Sequence, residues 1–235
     1  MKRLNVLLTL SSLNLILISV ERFSPTTRVL LQPDSFLRLH EVVQMLLLIL
    51  FSVLIPCFIL YTVTGELQTL QTGRAKILVV LFVVGLYLYA TGNGVHEVAS
   101  FLFNMYCPQT NAVAESCRSM FFDDYYFGNI VYFVGAFLFT AALILLEQQR
   151  PVERFGRRDS IVLVINALVY SLAIIAYAAF DLVLVGLGYA VIATLFILGV
   201  VVLGRRSPAT TPFTLYNVIA YGVGTGAGLL IRFLR

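Results

Sequence analysis

The sequence predicts an all-α integral membrane protein, a bundle of about seven transmembrane helices. Hydrophobic residues make up 60% of the chain and charged residues only 12%, and the mean hydropathy of +0.93 exceeds that of water-soluble domains. A bilayer core about 30 Å thick needs about 20 apolar residues per helix, and seven segments approach or exceed that length. They are residues 4–20, 42–63, 77–99, 126–146, 161–180, 182–203 and 213–231.

The segments between these spans are too short for a separate domain, so residues 1–235 are interpreted as a single transmembrane domain. Long apolar runs without strict alternation favour helices over a barrel. The first span follows Met1-Lys2-Arg3, as in a signal peptide, but no small-residue cleavage site comes after it. We therefore expect a retained first helix.

The distribution of basic residues predicts the orientation. Of the 16 Lys and Arg residues, ten flank the spans on the side of the N-terminus and six on the other side. The positive-inside rule then places the N-terminus and the loop carrying Arg150, Arg154, Arg157 and Arg158 in the cytoplasm, and the C-terminus outside. We expect a plasma membrane or bacterial inner membrane, and we assign the net charge of +4 to contacts with membrane lipids and not to nucleic acid.

Pro56 and the three cysteines carry further expectations. Pro56 is expected to kink the second span, either to open a cavity or to serve packing alone. Cys107 and Cys117 lie ten residues apart in a loop assigned to the outside, which predicts a disulfide, with two unpaired thiols as the alternative. Cys57 is expected to be a small buried apolar group.

A polar stripe marks the third span. Six polar or ionisable residues recur at helical spacing on one face of this otherwise apolar segment. A carboxylate in the bilayer centre costs roughly 2.5 to 3.5 kcal/mol on insertion scales, so the stripe must face protein or a water-filled cavity. The residues are Tyr89, Asn93, His96, Glu97, Ser100 and Asn104.

Similar Asn and Tyr stripes occur in three other spans, which predicts a polar interior that binds substrate. The alternative is that these side chains are hydrogen-bonding contacts between helices or anchors at the membrane interface. The stripes include Asn129 and Tyr132 in the fourth span, Asn166 and Tyr170 in the fifth, and Asn217 and Tyr221 in the seventh. Gly222, Gly224, Gly226 and Gly228 of the seventh span are interpreted as helix-packing residues.

Most of the acidic groups near the membrane, and both histidines, fall at the predicted outer ends of the spans. This predicts one shared site near the extracytoplasmic face, although charges at outer helix ends can also simply meet water. The residues are His40, Glu41, His96, Glu97, Asp123, Asp124 and Asp181.

Three functions compete. The first is a membrane-embedded enzyme, such as an intramembrane hydrolase or isomerase, acting on a lipid or another apolar or amphipathic molecule by acid–base or metal-assisted chemistry. Its predicted catalytic residues are Glu97, His96, Asp123, Asp124 and Asn93; its substrate-binding residues are Tyr89, Ser100, Asn129, Tyr132, Asn166, Tyr170, Asn217 and Tyr221; and its metal ligands are His40, His96 and Glu97.

The second function is a small-molecule or proton-coupled transporter. The third is a haem protein with His40 and His96 as the two axial ligands. A retinal Schiff base is excluded because the two lysines, Lys2 and Lys76, lie outside the predicted spans. Two histidines are also too few for the histidine-rich zinc site of the known seven-span hydrolases.

Overall fold

The computed structural model describes residues 1–107, 115–150, 155–204 and 207–235. Of the described residues, 85% are helical and none is in a strand. Seven helical segments are long and apolar enough to cross a membrane, which confirms the predicted fold class and a multi-pass membrane protein. Arg154 and residues 108–114, between the two loop cysteines, lie outside the described residues.

Two of the seven spans are interrupted by π-helical segments, so the bundle is numbered with nine α-helices among the described residues. The second span comprises α2, a π-segment at Gln44–Leu48 and α3, and the fourth comprises α5, a π-segment at Asp123–Gly128 and α6. The helices are α1 (Lys2–Glu21), α2 (Leu39–Val43), α3 (Ile49–Val63), α4 (Gly73–Tyr106), α5 (Glu115–Phe122), α6 (Asn129–Glu147), α7 (Arg157–Phe180), α8 (Val185–Leu203) and α9 (Pro212–Leu234).

Successive spans alternate in direction, so the bundle has two ends. The end where α1 finishes, at Glu21, also holds the π-segments and Asp181, and we call it the mouth end. The opposite end holds Met1 and an ion pair between Arg3 and Glu66, whose Nη1 and Oε1 atoms lie 3.3 Å apart. The side of the membrane on which each end lies stays a prediction.

The closest helix contact joins α4 to the fourth span through four glycines. A Cβ at Gly92 would lie 2.2 Å from the backbone nitrogen of Tyr132, and one at Gly135 would lie 2.2 Å from that of Tyr89. A Cβ at Gly85 would lie 2.5 Å from the backbone nitrogen of Phe139, and one at Gly128 would lie 3.0 Å from that of His96. Small residues permit such contact between membrane helices, and here they bring the polar stripe of α4 against the fourth span.

The glycine-rich stretch of α9 packs through only one of its two predicted pairs. A Cβ at Gly224 would lie 2.6 Å from the Ile174 side chain, and one at Gly228 would lie 2.8 Å from that of Ala178. A Cβ at Gly222 or Gly226 would have no neighbour within 4 Å. Two of the four glycines therefore hold α9 against α7.

The helices around the loop that carries Cys107 and Cys117 extend further than the predicted spans 77–99 and 126–146. Helix α4 continues to Tyr106 and α5 begins at Glu115, and a disulfide joins Cys107 to Cys117 with their Cα atoms 5.7 Å apart. The disulfide prediction is confirmed.

Two other expectations need correction. Cys57 is exposed on the outer surface of the bundle, because Ile55 and Ile59 occupy the inner face of α3. Lys2 and Lys76 lie inside the first turns of α1 and α4, where both are exposed.

Candidate functional site

A central cavity of about 530 Å³ lies among α1, α3, α4, α6, α7 and α9. This volume is within the range of small-molecule sites. The α1 residues that line it run from Leu8 to Ser19, so at a helical rise of 1.5 Å per residue the cavity extends about 17 Å along this helix. It is therefore elongated along the bundle axis.

The lining changes from charged to apolar along this depth. Arg22, His96, Glu97 and Asp181 lie at the mouth, and amides and hydroxyls follow in the middle. At the base, towards the end opposite the mouth, most of the lining is hydrocarbon or aromatic. The middle includes Asn14, Ser52, Tyr89, Asn93, Asn129 and Tyr132, and the base includes Leu8, Ile55, Ile59, Phe139, Leu143, Phe213, Tyr216 and Asn217.

A histidine–aspartate pair forms one wall of the mouth. The Nδ1 atom of His96 lies 2.8 Å from Oδ1 of Asp124 and 3.2 Å from the Asp124 backbone oxygen. Asp124 is 2% exposed and belongs to the π-segment, whose Gly128 allows the backbone of His96 to approach. Because Nδ1 is engaged, Nε2 is the imidazole nitrogen available to a ligand.

Glu97 lies beside His96 and faces an arginine from α1. Its Oε1 atom is 3.9 Å from Nη2 of Arg22, and the side chains are 8% and 54% exposed, respectively. At this distance, and with the guanidinium half in solvent, the attraction is weak. The Glu97 carboxylate is therefore buried on the cavity wall, and Arg22 does not hold it in a close ion pair.

Asp181 occupies the turn between α7 and α8 at the rim of the cavity. Its backbone oxygen accepts a hydrogen bond of 3.2 Å from Arg232, which ties the turn to α9. Burial raises the pKa of the Asp181 carboxyl, and the positive charges of His96 and Arg232 partly oppose that rise.

His40 and Glu41 lie at the same end of the bundle, but other side chains engage them. His40 pairs with Glu21 at the end of α1, and Glu41 accepts a hydrogen bond of 2.8 Å from Nε of Arg38. Asp123 was expected to face the shared site, but this expectation is wrong. Its side chain is exposed and lines a shallow groove on the surface of the bundle. Its neighbour Asp124 takes the inward position on the helix.

Five of the eight predicted substrate-binding residues line the cavity. They are Tyr89, Asn129, Tyr132, Tyr170 and Asn217. Their role in binding stays a prediction.

The other three predicted binding residues contact protein elsewhere. Ser100 accepts a hydrogen bond of 2.8 Å at its backbone oxygen from Asn104, which is exposed above the cavity. Asn166 donates to Oγ1 of Thr9 at 3.0 Å and so joins α7 to α1. The hydroxyl of Tyr221 contacts that of Tyr189 and joins α9 to α8. For Asn166 and Tyr221, the contacts match the alternative of hydrogen bonding between helices.

Sequence reasoning missed two contributions from α1 and the second span. Arg22 reaches Glu97, and Asn14 donates to Oγ of Ser52 at 2.8 Å on the cavity wall. The available signal was the position of Arg22 directly after the first span, at the level of the other charges.

A buried carboxylate at the opposite end was also missed. Glu147 is 2% exposed and accepts hydrogen bonds of 2.7 Å from the backbone nitrogens of both Phe213 and Thr214. These donors are free amides in the first turn of α9, so Glu147 caps that helix. It closes the bundle below the base of the cavity.

Across the described ranges, no group of three or more His, Cys, Asp or Glu side chains is arranged to hold a metal ion. The metal hypothesis for His40, His96 and Glu97 therefore gains no support. The haem hypothesis stays a prediction, because the observed contacts engage Nδ1 of each imidazole and Nε2 would be the ligating atom.

Comparison of the chain with protein-family models, with curated proteins and with solved structures finds no match. Function is therefore argued from the chemistry of the cavity.

Proposed function

We propose that the protein is a membrane-embedded enzyme that performs acid–base chemistry on a lipid or similarly amphipathic molecule. The observation that carries this proposal is the adjacent placement of His96 and Glu97 on the wall of a cavity large enough for a small molecule. A membrane helix bears the cost of two buried ionisable groups at such a position when they face a functional cavity.

The two residues suit different proton-transfer steps. Successive residues on a helix point about 100° apart, so His96 and Glu97 flank one groove. Asp124 is a positioning residue that orients the imidazole through Nδ1, and Nε2 then accepts or donates a proton at the substrate. Glu97 serves the second transfer. Two transfers at neighbouring points match an isomerisation or an acid–base hydrolysis.

The test is conversion of native lipids by the purified protein. Wild-type protein is reconstituted in vesicles made from a lipid extract of its own membrane, and the lipid composition is followed by mass spectrometry. We expect one species to be converted by the wild type, and we expect His96→Ala and Glu97→Gln to lower the rate by about 10² to 10⁴-fold. Asp124→Asn should lower the rate and shift its pH profile, because it changes how the imidazole is held.

Glu66→Gln is the matched control, since Glu66 is an exposed carboxylate paired with Arg3 at the far end of the bundle. It should retain wild-type activity. Full activity of Glu97→Gln would show that Glu97 has only a structural role, and the proposal would be wrong.

A transporter is the second candidate, favoured by a cavity that extends about 17 Å along α1, more than half of a bilayer core of about 30 Å. Alternating access requires the base of the cavity to open towards the Glu147 end. Asn217→Cys, in a Cys57→Ser background, places a thiol near that base. Modification by a membrane-impermeant maleimide from the mouth side alone supports the enzyme, whereas modification from both sides of oriented vesicles supports transport.

A further inference from the structure

The seam between α1 and α7 changes character halfway along its length. In the lower half, Nδ2 of Asn5 donates to Oδ1 of Asp159 at 3.0 Å, and Oγ of Ser12 donates to the Asn166 backbone oxygen at 3.5 Å. In both pairs the residue numbers differ by 154. Within the described residues, the hydrogen bonds between the two helices end at this level.

Adding the same 154 residues places Ser19 beside Ala173, and it places Arg22, just past the end of α1, beside Ala176. Ser19, Ala173 and Ala176 have small side chains, and together with Leu15 they line the central cavity. Ser19 and Ala176 are also exposed, and Ala176 follows Leu172, which is 64% exposed, by one helical turn. Ala176 therefore lies on the outward face of α7 as well as on the cavity wall, which marks an opening bordered by Leu15, Ser19, Ala173 and Ala176, here called the lateral portal.

The other side of α1 is closed at the same height. Asn14 donates to the Leu48 backbone oxygen at 3.1 Å, and Gln44 donates to the Ile18 backbone oxygen at 3.2 Å. The portal therefore lies on the α7 side of α1. The surface around it is apolar, since Val20 is 60% exposed and Leu172 is 64% exposed, which is the surface expected to meet lipid.

We propose that this portal admits a single-chain amphiphile from the membrane leaflet at the mouth end, with its polar group at the level of Arg22, His96 and Glu97 and its chain directed to the cavity base. The inference names the substrate class of the proposed enzyme and rests on that function. The polarity of the cavity matches such a ligand, because charge lies at the mouth and Ile55, Ile59 and Leu143 lie at the base.

Lateral entry also avoids the main energetic obstacle. A portal that begins at the mouth lets the molecule slide between the helices while its polar group stays at the depth of the headgroups. No charged group then has to cross the hydrocarbon core, where a charge is costly to place.

The absence of tryptophan from the sequence allows a direct test, because one introduced tryptophan is then the only one. Phe139→Trp places the indole on the cavity wall, Leu172→Trp places it on the lipid surface, and Phe101→Trp places it at a site that is 1% exposed. Each protein is reconstituted in phosphatidylcholine vesicles, and a fatty acid brominated near its methyl end is added as a contact quencher.

We expect loss of fluorescence for Phe139→Trp and Leu172→Trp and no loss for Phe101→Trp. Adding Ala173→Phe and Ala176→Phe should remove the quenching of Phe139→Trp while leaving that of Leu172→Trp, which shows that the blocked protein is still in the bilayer. An unquenched Phe139→Trp would overturn the proposal that a chain enters the cavity, and quenching that survives the double block would overturn the portal.

This measurement is independent of turnover. Glu66→Gln, at the far end of the bundle, should leave the quenching of Phe139→Trp unchanged. Quenching without any detectable reaction would therefore contradict the proposed enzyme and leave the portal standing.

Discussion

Replacement of Gly92 by alanine tests the contact that builds the mouth of the cavity. The new Cβ would lie 2.2 Å from the backbone nitrogen of Tyr132 and 2.8 Å from the backbone oxygen of Gly128. Carbon atoms in contact normally lie about 3.5 to 4.0 Å apart, and both neighbours are backbone atoms that no side-chain rotation can move. Helices α4 and α6 must therefore separate locally by about 1 Å or more.

That displacement acts on stability and on the site together. Overpacking of this kind costs about 1 to 3 kcal/mol. It also lengthens the 2.8 Å contact between His96 and Asp124 past the usual limit for a hydrogen bond. We expect Gly92→Ala to lower both the free energy of unfolding and the rate of the proposed reaction.

The assay is unfolding in mixed micelles of increasing sodium dodecyl sulfate content, followed by circular dichroism. Gly94→Ala is the matched control, because it lies on the same helix and its Cβ would have no neighbour within 4 Å. It should unfold at the wild-type midpoint or slightly above it. Equal midpoints for the two variants would refute the close-contact reasoning.

Three further predictions concern the loop, the orientation and pH. Alkylation of the unreduced protein should modify Cys57 alone, and reduction should lower the free energy of unfolding by roughly 3 kcal/mol, since the Cys107–Cys117 disulfide closes a loop of about ten residues; three modified thiols before reduction would contradict this. Reporter fusions should place Arg235 outside and the Arg150 loop in the cytoplasm. Because the pKa of Asp181 is raised in the folded state, its ionisation opposes folding as pH rises above the unfolded value of about 3.9, so Asp181→Asn should exceed wild-type stability at pH 7 but not at pH 3.

The position of the charged groups along the bundle axis, at one end of the spans, was predictable from sequence alone. His40, His96, Asp124 and Asp181 each fall near a span end, and alternation of span direction brings those ends together without any knowledge of packing. The stripe of α4 was also readable, because helical periodicity places Tyr89, Asn93 and Glu97 on one face. The pairing of Cys107 with Cys117 followed from their shared loop.

Which of these charged side chains pair with one another at the mouth end depended on the tertiary structure. Periodicity gives the face of each helix, but it does not give the rotation of a neighbour or the distance between axes. The pairs His96–Asp124 and Glu97–Arg22 exist because four glycines draw α4 against the fourth span and because α1 ends beside them. The π-segment at Asp123–Gly128 turns Asp124 inwards and leaves Asp123 in solvent.

The sequence by itself determined that the chain is a seven-span helical bundle with polar faces turned inwards, because the cost of exposing charge and amide groups to hydrocarbon acts on each helix separately. Only the tertiary structure decided which polar residues line the cavity and which join helices, as Tyr170 does the first and Tyr221 the second. That distinction depends on how closely two helices approach at each level, and contact distances between helices far apart in the chain are set by the packing of the whole bundle.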